Sequence, residues 1–135
     1  MIVITLVAVG AGVVSLSLRD ARANRLEREG LRLALLLETA RAEARAAALT
    51  VRWMPTPEVP DQAFRFVGLP PSNRLPRQWL EPGIVARVEG GALALGPEPL
   101  IGAQQVELVL DGRRVQVFTD GLQPFAVREV PADAP

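Results

Sequence analysis

Carboxylates and guanidinium groups are the reactive side chains this chain can offer, because its 135 residues include no histidine and no cysteine. Lacking histidine, it has no ordinary general base near neutral pH, no usual triad partner and none of the commonest metal ligand. Lacking cysteine, it has no disulfides and no thiolate metal sites. The carboxylates best placed for chemistry are Asp111 and Asp120, and each precedes a glycine, Gly112 and Gly121. Asp-Gly between strand-like runs is turn chemistry, so these four residues read as structural turns. Arg113 and Arg114 read as a solvated strand end rather than an anion site, and Trp53 and Trp79 as core or loop anchors. The sequence holds no calcium loop, nucleophile elbow, phosphate loop or dinucleotide fingerprint. It therefore reads as a non-enzyme with no catalytic, cofactor-binding or metal-ligating residues and no cofactor. Fifteen basic and fifteen acidic residues cancel, which leaves no overall attraction to nucleic acid.

The elements that would position these turns lie in the C-terminal part. Gln105 to Leu110 and Arg113 to Phe118 flank Asp111-Gly112, a strong hairpin signature because a type I′ turn needs positive φ at both central residues. Val51 to Met54, Ala63 to Val67, Ile84 to Val88, Ala92 to Leu95 and Phe125 to Val130 read as further strands. The Ile84 and Ala92 strands are joined across Glu89-Gly90-Gly91. The proline-rich stretch Leu69 to Pro82 reads as an irregular connection pinned by Trp79 and Leu80. Residues 51–130 thus form an antiparallel β-rich domain, and 131–135 a tail.

Ahead of this domain the pattern is helical, and it changes solvent part-way. Residues 1–18 carry no charge. At ~1.5 Å per residue they cover roughly 27 Å, the lower limit for a bilayer span. Ala8 and Gly12, and Ala11 and Ser15, are small-xxx-small pairs that let another helix approach. Residues 19–50 are amphipathic: Leu26, Leu33, Leu37, Ala40, Ala44, Ala47 and Val51 recur at helical spacing, a stripe for assembly or for the core. Arg25–Glu29 and Glu38–Arg41 read as exposed pairs that tune solubility, and Gly30 as a bend. The expected fold is α+β, a long N-terminal helix packed on an antiparallel β-rich domain. Arg19, Arg22, Arg25 and Arg28 oppose export of that domain, because basic flanks stay in the cytoplasm.

The apolar run ending in VSLSLRD, the LEREG segment and LALLLETARAEARAAAL resemble the N-terminal helix of a pseudopilin. FRFVGLP, LPRQWLEPG, LGPEPL and FTDGLQPFAV narrow the resemblance to the H-type minor pseudopilins of bacterial type II secretion. That resemblance implies a pilin-like fold and a structural subunit of the pseudopilus. It also implies a single pass through the inner membrane with the C-terminal domain in the periplasm. The partners it implies are other minor and major pseudopilins, the inner-membrane assembly platform, membrane lipid and a prepilin peptidase. The family's basic leader, cleavage site and glutamate are expected upstream of Met1. The alternatives are a minor pilin of a type IV pilus, or an unrelated single-pass β-domain that binds a protein.

Overall fold

The computed structural model describes the backbone of residues 2–59 and 61–130, and the side chains of residues 21, 24–59 and 61–130. One helix, α1 (Ile2–Ala47), precedes β1 (Val51–Pro55), β2 (Phe64–Val67), β3 (Val85–Val88), β4 (Leu93–Gly96), β5 (Gln104–Leu110), β6 (Arg113–Thr119) and β7 (Ala126–Val130). The strands form two open antiparallel sheets, a three-stranded one ordered β2-β1-β4 and a four-stranded one ordered β3-β5-β6-β7.

The larger sheet grows from the β5–β6 hairpin. Its two-residue turn, Asp111-Gly112, has φ of 50° and 79°, the geometry whose twist matches paired strands. The register runs from Leu110↔Arg113 to Gln104↔Thr119. Period-2 alternation turns Val106, Leu108, Val115 and Val117 inward, where all four are buried. In the smaller sheet Trp53 and Phe64 are buried with ring centroids 5.6 Å apart, and Trp79 closes on Phe64 at 4.7 Å. Such aromatic contacts add to the area they bury.

The helix joins the two sheets into one core. Leu26, Leu33, Leu37, Ala40 and Ala44 lie buried along one face of α1 and share a cluster with residues of both sheets. Val51, at the end of the same stripe, is buried in β1. Gly30 does not interrupt α1; a Cβ there would come within 3.0 Å of Val127 Cγ1, so this glycine admits β7 against the helix.

Several expectations are corrected here. Among the described residues no helix is long and apolar enough to cross a membrane. The part of α1 whose side chains are described carries Arg25, Glu27, Arg28, Glu29, Arg32, Glu38, Arg41, Glu43 and Arg45, charges that hydrocarbon does not accommodate. The transmembrane reading of residues 1–18 and the packing pairs Ala8–Gly12 and Ala11–Ser15 concern side chains outside the described residues. Among the described residues the membrane-spanning helix of a pilin-like α+β fold is not found. The single-pass inner-membrane location, the periplasmic placement and the pseudopilin, pilin and membrane-anchored functions rested on that helix and fall with it.

The topology differs too. β3 and β4 are not partners: β3 pairs with β5 and β4 with β1. The turn after Val88, closed by the Gly91 N–H on Val88 O at 3.0 Å, carries the chain from one sheet to the other. Leu93 and Leu95 are thereby buried in the smaller sheet, which packs on the helix and contains β1.

Candidate docking surface

Charged residues on α1 fasten loops to the body of the domain. Glu29 is 3% exposed, and its Oε1 accepts the N–H groups of Leu80 at 2.8 Å and Glu81 at 3.2 Å. Arg32 Nη1 lies 3.6 Å from Glu29 Oε2 and donates to Gln78 O at 3.0 Å. The irregular segment 69–82 is thus held by a carboxylate and a guanidinium of the helix. Leu80, expected to pin it, has an exposed side chain; its backbone is what the helix grips. Arg25, read from sequence as the partner of Glu29, instead lies 3.8 Å from Glu81.

The second fastening is more deeply buried. Arg41 is 3% exposed and reaches four acceptors: Glu38 Oε1 at 3.3 Å, Gln123 O at 3.2 Å, Pro99 O at 3.1 Å and Gly121 O at 2.7 Å. Glu38 Oε1 also accepts the Phe125 N–H at 2.9 Å. Burying a guanidinium is costly unless its donors are matched; here three backbone carbonyls and a carboxylate match Nη1 and Nη2, while the buried Nε has no partner. Because Arg41 Nη2 bonds both Pro99 O and Gly121 O, it draws together the loops 97–103 and 120–124. Their backbones touch: a Cβ on Gly121, whose φ is 99°, would fall 2.8 Å from Gly102 N.

The 120–124 loop is braced internally as well. Asp120 Oδ1 accepts the N–H groups of Leu122 at 2.9 Å and Gln123 at 2.8 Å. Thr119 Oγ1 accepts the Gly121 N–H at 3.0 Å and donates to Gln123 O at 2.7 Å. The backbone N–H of Gln123, then that of Leu122, hold the Asp120 carboxyl below its ordinary value near 3.8. Leu100 and Leu122 project from this clasped pair of loops, 62% and 70% exposed.

The residues singled out from sequence do not converge on one site. Asp111 and Gly112 turn β5 into β6, while Asp120 and Gly121 lie beyond the other end of β6 in the clasp. Leu26, Leu33, Leu37, Ala40 and Ala44 are in the core. Among the described residues no three His, Cys, Asp or Glu side chains gather as a metal site. Sequence reasoning missed Glu29 and Arg41 as loop fasteners, and Leu100 and Leu122 as exposed loop residues. One signal was present: Arg41 sits four residues after Leu37 and three before Ala44, on the stripe that faces the core. No family model matches the chain, nor does any curated protein or solved structure. The resemblance to H-type minor pseudopilins thus has no matching family behind it, and among the described residues no spanning helix supports it.

Proposed function

We propose that this chain is a non-catalytic protein-binding domain, which docks a partner protein rather than nucleic acid through the clasped loops 97–103 and 120–124. The observation that carries this reading is the expenditure of a buried arginine on two loops whose tips present leucines to solvent. Arg41 meets four acceptors to fix loops that otherwise expose Leu100 and Leu122. A rigid apolar pair binds at lower entropic cost than a mobile one, because the ordering has been done in folding. The buried Glu29 carboxylate supports the same reading, since it accepts loop amides. Zero formal net charge favours a protein over a polyanion as partner.

Photo-crosslinking tests it in the native cell. A photoreactive residue at position 100 or 122 should give one dominant protein adduct. The Leu122→Asp substitution should abolish the adduct from position 100 while leaving the melting temperature of the domain unchanged. Adducts that are absent, or as diverse as those from exposed Arg87 on β3, would reject this surface as a docking site.

A further inference from the structure

β4 is an outer strand, bonded to β1 along one edge. On its other edge Ala94 meets a side chain instead of a strand. Ala94 N–H donates to Gln104 Oε1 at 2.7 Å, and Gln104 Nε2 donates back to Ala94 O at 2.8 Å. One residue giving its N–H and C=O reciprocally to one partner is the ring made by a hydrogen-bonded pair in an antiparallel sheet. The carboxamide therefore occupies the place of one residue of a neighbouring strand. Its nitrogen also donates to Ile101 O at 3.2 Å, which holds the side chain in that pose. The backbone of Gln104 is separately paired with Thr119, so the contact with Ala94 is additional to the residue's place in β5. A cleft of about 570 Å³, walled in part by Leu93, Gln105, Phe118 and Asp120, lies beside this edge.

We propose that the outer edge of β4 is a self-pairing edge which the Gln104 carboxamide holds shut, and that a second copy of this chain pairs there once the carboxamide is removed. Two observations select a second copy. Antiparallel pairing about a two-fold axis at Ala94 would exchange the N–H and C=O of the two Ala94 residues, replacing the two bonds that Gln104 makes. With fifteen basic and fifteen acidic residues the chain carries no net charge to keep copies apart. The strand itself, Leu-Ala-Leu-Gly, has no lysine, proline or inward charge of the sort that protects an exposed edge. Gln104 supplies that protection.

The chain has no cysteine, so Ala94→Cys introduces a single reporter thiol in the full-length protein. In a Q104A background, mild oxidation should link two copies through position 94 about tenfold more than with Gln104 intact, since paired Cα atoms about 5.5 Å apart lie within disulfide reach. The light-scattering mass of Q104A should rise towards two chains with concentration, and Ala94→Pro, which removes the N–H, should restore the parent mass. Gln104→Glu keeps the side-chain length but presents an ionised carboxylate that cannot donate to Ala94 O. It should give the same cross-link, so a poorly folding Q104A would not decide the matter alone. The proposal is overturned if folded Q104A or Q104E keeps the parent mass at every concentration. It is equally overturned by cross-linking that is independent of Gln104, or by association without linkage at position 94.

Discussion

Arg41 ties the helix to two separate loops, and its guanidinium geometry explains how. A planar fork holds five donors at fixed angles, whereas an ammonium on a flexible stem offers three from a single point. Arg41→Ala should cost about 3–5 kcal/mol in urea unfolding, because Glu38 and three carbonyls lose their buried donor. Arg41→Lys should recover less than half of that loss; full recovery would mean that charge alone, without the fork, holds the loops. Asp120 makes a pH-dependent contribution of known sign. Its folded carboxyl titrates below the ordinary value near 3.8, so its stabilising effect is complete above that value and is lost as pH falls through the folded one. Asp120→Asn keeps an acceptor for Leu122 and Gln123 but does not titrate. Acid unfolding followed below about pH 4 should therefore be less steep in this variant than in the parent.

At the scale of elements, the helix stripe is decided by area and cavity. Leu37 is fully buried, and Leu37→Ala should cost ~2–5 kcal/mol by chemical denaturation. Leu35, two residues earlier and 70% exposed, should cost no more than about 0.5 kcal/mol on the same change. Equal losses at the two positions would overturn the assignment of faces. The buried stripe and the β5–β6 hairpin were legible in the sequence because both rest on local rules, a helical period and an Asp-Gly turn. The sorting of β3 and β4 into different sheets was not, because it depends on which faces of β1 and β5 are left for them. The long-range contacts of Glu38 and Arg41 were hidden for a related reason. Their partners are main-chain groups some 58 to 87 residues away, and carbonyls and amides leave no mark in side-chain patterns. Gly30 misled in a different way. Its low helix propensity suggested a bend, whereas its missing Cβ serves close packing against Val127.

Across the whole molecule, α1 spans both sheets and gives them a common core, so the sheets should not unfold separately. Tryptophan fluorescence from Trp53 and Trp79, in and around the smaller sheet, should share a urea midpoint with far-UV circular dichroism, which is dominated by the helix. Separate midpoints would show that the three-stranded sheet is an independent unit. The Arg41 clamp also bears on the order in which the chain is made. Its shortest bond joins the helix to a carbonyl 80 residues later, and Glu38 waits 87 residues for the Phe125 amide. At synthesis rates of about 5–20 residues per second, a ribosome needs roughly 4–16 s to supply the 80 residues to Gly121. Throughout that interval the helix has been made but its buried Arg41 lacks the last of its partners, and Glu38 lacks the Phe125 amide. The nascent chain therefore cannot seal its core until the last strand is being added, and synthesis stalled before Gly121 would leave the helix face open to chaperones and proteases.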